Sequence, residues 1–194
     1  MPQKSVTVIY LPGLGSEYDR VRTVALKFWP TRRWNVQFLP MNWTDKDETY
    51  EQKKKRVHEA ISQANGQVVV IGESAGAAMG LVVADENKAI TLVTLCGKIG
   101  GAKSTGQRYY DRVPVFAKLL PLADKIRLTM PSEMKSRIVT VRAHDDMFLS
   151  LRDTTLPGVQ QIVLPSIGHL TTIVLGITVL RYGLFRAIKI LTAR

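Results

Sequence analysis

The stretch VVVIGESAGAAMG, Val68 to Gly80, runs from an apolar β-branched patch through Gly72-Glu73-Ser74-Ala75-Gly76 into a row of small residues. A strand that turns at once into a helix forces the turning residue into a strained backbone, and the positions two before and two after it must lack bulk. Glycines stand at both, 72 and 76. Such a turn holds the Ser74 oxygen out at the end of the sheet, while the helix starting near Ala75 directs backbone N–H groups and a positive dipole end toward it. The five-residue string alone is weak, and a plain small residue at a strand-to-helix turn is the other reading. The apolar strand before it and AGAAMGLVVA after it supply the context.

Working outward, other short apolar, β-branched runs recur: Ser5 to Leu11, Trp34 to Leu39, Gln67 to Ile71, Ala89 to Leu95, Arg137 to Arg142 and Val159 to Leu164. Helical patterns lie between them. Glu48 to Asn65 places Tyr50, Val57, Ile61 and Ala64 on one face and Lys53 to Arg56 largely on the other, so that basic run is expected to be a solvated face. Strands that alternate with helices, and that are apolar along their length, predict an α/β domain. Its form is a doubly wound, mainly parallel sheet of about six strands with helices on both faces. Ligands of such sheets gather beyond the carboxyl ends of the strands.

Composition sets bounds. The 194 residues fit a single domain over 1–194 and suffice for a rigid core, and 45% apolar with 22% charged residues describes a globular chain. The lone Cys96 excludes an internal disulfide framework and fits a reducing compartment, so cytoplasm is the default. MPQKSVTVIYLPG lacks the pattern of a secretory signal, and Leu170 to Leu180 is too short to span a bilayer. Net charge is +11, concentrated in residues 96 to 138, where nine basic side chains meet three acidic ones. Charge of one sign speaks to anionic partners. Nucleic acid is disfavoured, because zinc-finger spacing and aromatic RNA-binding signatures are absent from the sequence.

With Gly-Glu-Ser-Ala-Gly placed between strand and helix, the chain resembles the α/β-hydrolase superfamily, from about Val6 to the helix after His169. Leu11-Pro12-Gly13-Leu14-Gly15 looks like that family's His-Gly-x-Gly loop, with Pro12 in the histidine position. The resemblance implies an oxyanion hole from the backbone N–H of Leu14, with Gly13 as alternative, and that of Ala75. A plain glycine turn is the competing reading. Val141 to Leu149, VRAHDDMFL, resembles the acid loop and points to Asp146, with Asp145 as alternative. His144 beside two aspartates also suggests a metal, but a spaced second pair of ligands is missing. Pro165-Ser166-Ile167-Gly168-His169 occupies the place of the family's histidine, and of the three histidines only His169 completes the order Ser, Asp, His. By itself it would more often be a helix-start packing residue.

The resemblance therefore implies a Ser74-His169-Asp146 triad that cleaves a carboxylic ester or thioester through an acyl-enzyme, without metal or organic cofactor. An acyltransferase with the same triad and a non-catalytic binding module on the same scaffold are the rivals. Residues 97–135 are expected to form a short lid-like insertion, with helical turns around Val113 to Leu120. Arg108, Tyr109, Arg112 and Phe116 would line a substrate rim suited to an acyl chain with an anionic head group or carrier. An ordinary solvated surface is equally compatible with them. The last helix mixes Val174, Leu175, Tyr182 and Phe185 with Arg181, Arg186 and Lys189 on one stripe. Packing is the first expectation for that stripe, a dimer contact the second and peripheral membrane contact the third. Monomer and homodimer both stay open.

Overall fold

A computed structural model describes residues 6–30 and 33–193. Ser5, the first residue of the first expected strand, lies outside them. In chain order the elements are β1 (Val6–Leu11), α1 (Asp19–Lys27), β2 (Trp34–Phe38), α2 (Tyr50–Ser62), β3 (Gln67–Glu73), α3 (Ala75–Glu86) and β4 (Ile90–Leu95). They continue with α4 (Gln107–Arg112), α5 (Phe116–Thr129), α6 (Ser132–Ser136), β5 (Ile138–Asp145), α7 (Leu151–Thr154), β6 (Gln160–Ile167), α8 (His169–Ile177) and α9 (Tyr182–Thr192).

The six strands form one sheet in the order β2-β1-β3-β4-β5-β6, and every neighbouring pair is parallel. Strand side chains alternate between faces, so one strand feeds two cores. Val68 and Val70 of β3 enter a cluster with α2, α3 and α5. Val69 and Ile71 enter another with Ala25 and Leu26 of α1, Ile173 of α8, and Leu184 and Ile188 of α9. Successive strands step one way from β1 to β2 and the other way from β3 onward. The topological switch point therefore lies between β1 and β3, where the Pro12–Gly15 loop and Ser74 both emerge.

Two local expectations, the solvated face of α2 and the single last helix, are corrected. Lys53, read as part of a solvated face, is fully buried, and its Nζ donates to the carbonyls of Met41 (3.0 Å) and Asn42 (2.8 Å) and to Glu48 Oε2 (2.7 Å). The capping box of Thr49 and Gln52 starts α2 in a phase that turns Tyr50, Lys53, Val57 and Ile61 inward together. The helical turns expected around Val113 to Leu120 belong to the start of α5 and the chain leading into it. Val113, Leu119 and Leu120 are buried, and α5 packs on α3. Parallel β4 and β5 need a crossover helix between them, and α5 is that helix.

Finally, the last helix is two helices, broken over the β-branched stretch after Ile177, where the N–H groups of Thr178 and Leu180 both close on the Leu175 carbonyl. Phe185 then packs between Trp29 and Trp34, with ring centroids 5.1 and 4.9 Å away, whereas Val174 and Tyr182 stay exposed.

Candidate active site

Ser74 adopts φ 45° and ψ −114°, a conformation that L residues rarely hold. The chain is locked there from both sides. Its N–H donates to the Leu95 carbonyl (2.9 Å), and its carbonyl accepts from the N–H groups of Ala77 (3.1 Å) and Lys98 (2.8 Å). The two glycines are sterically required. A Cβ on Gly72 would stand 2.5 Å from the Ala77 Cα, and one on Gly76 would stand 2.3 Å from the Leu11 carbonyl oxygen.

His169 opens α8 after Gly168, whose φ of 86° suits only glycine comfortably. The imidazole is almost wholly buried, with Nε2 2.9 Å from Ser74 Oγ and Nδ1 2.7 Å from Asp146 Oδ2. Asp146 Oδ1 accepts from the N–H groups of Phe148 and Leu149, both at 3.0 Å. Burial works to raise the Asp146 pKa, but the hydrogen bond and charge of His169, with the two backbone donors, outweigh it and hold the carboxyl below its ordinary value. The carboxylate that meets His169 is that of Asp146. Asp145 ends β5 with an exposed side chain.

The Pro12–Gly15 loop lies across the switch point. Leu14 and Ala75 line the same cavity as Ser74, and a Cβ on Gly13 would meet Ser74 Cβ at 2.8 Å, so the loop's backbone runs directly beside the serine. The Leu14 N–H donates to no acceptor among the described residues, and Ala75, as first residue of α3, has no intrahelical acceptor.

A buried cluster behind the serine was not foreseen from sequence. Glu73, Arg22 and Tyr10 are at most 3% exposed. Arg22 Nε and Nη2 donate to the two Glu73 oxygens at 2.8 and 2.6 Å, and the Tyr10 hydroxyl donates to Glu73 Oε2 at 2.6 Å. The same guanidinium donates to the carbonyls of Gly15 (2.7 Å) and Leu14 (3.1 Å), tying the loop to the strand that carries Ser74. Burial and the Glu73 charge raise the Tyr10 phenol well above its usual pKa, so it remains a donor.

A cavity of about 270 Å³ opens beside Ser74. Leu14, Tyr109, Phe116, Phe148, Leu170 and Ile173 give it an apolar wall, and Ser104 to Gly106 close one side. Of the expected rim, Tyr109 and Phe116 line it; Arg108 and Arg112 do not, and their side chains face solvent. The cation at the wall is instead Lys98, paired with Asp153 at 3.1 Å.

Among the described residues, the group of metal-ligand atoms that meets within 4.8 Å is Cys96, Asp146 and His169; His144 is not in it. Burial, reinforced by the Asp146 charge, pushes the Cys96 thiol up to about 12, so it stays protonated and is a poor ligand. Asp146 and His169 already use the relevant atoms on one another.

No protein-family model and no curated protein matches the sequence. Solved structures do resemble the fold. An α/β hydrolase enzyme from a sediment metagenome of the Mar Chica lagoon, Morocco, is 14% identical, with a TM-score of 0.68 over 96% of this chain and 91% of that one. A pyrethroid hydrolase from Sphingobium faniae JZ-2 is 16% identical, with 0.62 over 96% and 97%, and Est1E from Butyrivibrio proteoclasticus is 12% identical, with 0.61 over 96% and 90%. The chain has the α/β-hydrolase fold.

Proposed function

We propose that this chain is a serine hydrolase that cleaves a carboxylic ester or thioester through an acyl-enzyme. The observation that carries the proposal is the unbroken hydrogen-bond relay from Asp146 through His169 to Ser74, standing at a strained turn beside an apolar cavity. Hydrolases among the structurally similar proteins favour the same class of chemistry.

His169 Nε2 takes the Ser74 hydroxyl proton as Oγ attacks the acyl carbonyl. The imidazolium so formed donates through Nδ1–H to Asp146, which holds the ring's tautomer and stabilises its charge. The N–H groups of Leu14 and Ala75 receive the oxyanion, each such donor being worth about 2.7–4 kcal/mol in an apolar site. As the tetrahedral intermediate collapses, the bond to the leaving oxygen or sulfur breaks and His169 returns its proton to that atom. Water then enters and gives a proton to His169 as its oxygen attacks the acyl carbon; collapse of this second intermediate breaks the bond to Ser74 Oγ, which takes the proton back from His169 as the carboxylic acid leaves.

The wall from Leu14 to Ile173 suits the acyl chain itself. Since Arg108 and Arg112 lie off the cavity, an anionic head group or carrier has no support from them. A single cysteine leaves the cytoplasm as the proposed compartment. The test is hydrolysis of p-nitrophenyl esters and acyl thioesters of graded chain length. Turnover that depends on chain length and vanishes in Ser74→Ala supports the proposal, and turnover that survives Ser74→Ala refutes it.

A further inference from the structure

The helices α1, α8 and α9 cover one face of the sheet, and they carry a single acidic residue, Asp19, which is bound by Arg22 at 2.9 Å. The scarcity extends into the flanking chain: residues 20–44 and 154–194 contain no Asp or Glu. The outer surface of this layer presents Arg20, Lys27, Arg186 and Lys189, none of which has a carboxylate partner among the described residues. The opposite layer differs in its carboxylates: Glu51, Glu59, Asp85, Glu86, Asp111 and Asp124 stand on α2 to α5, where Lys54 pairs with Glu86, Lys55 with Glu59 and Lys118 with Glu51, while Arg108, Arg112 and Lys125 have no such partner among the described residues.

Bulky apolar side chains stand among the unpaired cations. Val21, Val24 and Phe28 form one exposed stripe along α1, because they recur at three and four residues. Val174 on α8, and Val179 and Tyr182 at the turn into α9, are exposed beside it, and Arg181 Nη1 joins that turn to α1 by donating to the Phe28 carbonyl (2.9 Å). Phe28 is 72% and Val179 76% exposed.

We infer that this face docks on an anionic lipid surface. The unpaired cations match its charge, and the aliphatic and aromatic side chains match the boundary between head groups and acyl chains. A second copy fits poorly, since an isologous contact would set arginine and lysine against arginine and lysine with no carboxylate between them. A nucleic-acid phosphate surface offers nothing to the valines. Leu170, at the start of α8, is half exposed and also lines the Ser74 cavity, so the docked face ends at the cavity mouth.

Cosedimentation of the full chain with vesicles tests this, and its readout is independent of Ser74, so failure would leave the hydrolase proposal standing. Vesicles of phosphatidylcholine with about one quarter phosphatidylglycerol should bind the protein at low salt, and neutral phosphatidylcholine vesicles should bind it far less. Lys27→Gln with Arg186→Gln should weaken partitioning about 25-fold, at about fivefold per cation, and Val24→Ser with Phe28→Ser by tenfold or more. Lys55→Gln with Lys125→Gln removes the same charge from the opposite layer and should leave binding within about twofold. The inference is overturned by equal binding to neutral and anionic vesicles, by an equal loss in the opposite-layer pair, or by a solution dimer that Phe28→Ser dissociates.

Discussion

Arg22 grips both carboxylate oxygens of Glu73, 51 residues away in sequence, at 2.8 and 2.6 Å. Glu73 directly precedes Ser74, and the other edge of the guanidinium holds the carbonyls of Leu14 and Gly15. One buried side chain thus sets the distance between the serine and the loop expected to stabilise an oxyanion.

Arg22→Ala should therefore do two things. It strands the Glu73 carboxylate in the core, which typically costs about 3–5 kcal/mol of stability by chemical denaturation. It also frees the loop, so kcat on an ester should fall much more than KM rises. Arg22→Lys should not restore kcat, since an ammonium cannot span both oxygens and two carbonyls. An unchanged kcat in a folded variant would show that Arg22 serves stability alone.

Asp146 and Asp145 should separate cleanly. Asp146→Asn is expected to lower kcat by about 10⁴ with the fold intact, and Asp145→Asn to change it little. Stability gives a second readout. Because the folded-state pKa of Asp146 is depressed, its contribution is fully present above the ordinary carboxylate value and is lost as pH falls through the folded value. Wild type should lose more unfolding free energy between neutral pH and the acid range than Asp146→Asn does.

Tyr109→Ala should raise KM for apolar esters severalfold with little effect on the fold, because Tyr109 lines the cavity and is half exposed. Arg108→Ala, one residue away but off the cavity, should leave KM unchanged. The reverse pattern would restore an electrostatic rim as the specificity element.

Cys96, buried and pushed up to about 12, should resist alkylation by iodoacetamide at neutral pH in the native protein and react fully once unfolded. Rapid native labelling, read by intact mass, would contradict the burial.

The six mainly parallel strands and the turn at Ser74 are legible because they rest on local pattern, β-branched runs and two glycines around a serine, whereas Asp146 and His169 enter through the resemblance and not through local pattern. What escaped is long-range or depends on helix phase. Lys53 sits in a basic run that reads as solvent-facing, but it stands three residues after Tyr50 and four before Val57 and so shares their inward face. Nothing near Glu73 or Lys98 names Arg22 or Asp153, because those pairs are created by the sheet order and the crossovers. Arg108 and Arg112 were grouped with Tyr109 and Phe116 by proximity in sequence, but a short helix points its turns in different directions.

The central claim is an activated serine. Reaction with a fluorophosphonate probe, read by intact mass, tests it most directly. Wild type should gain one adduct per chain, and Ser74→Ala and His169→Ala, each shown to be folded, should gain none. Absence of an adduct on folded wild type, or an adduct that persists in Ser74→Ala, would contradict the account.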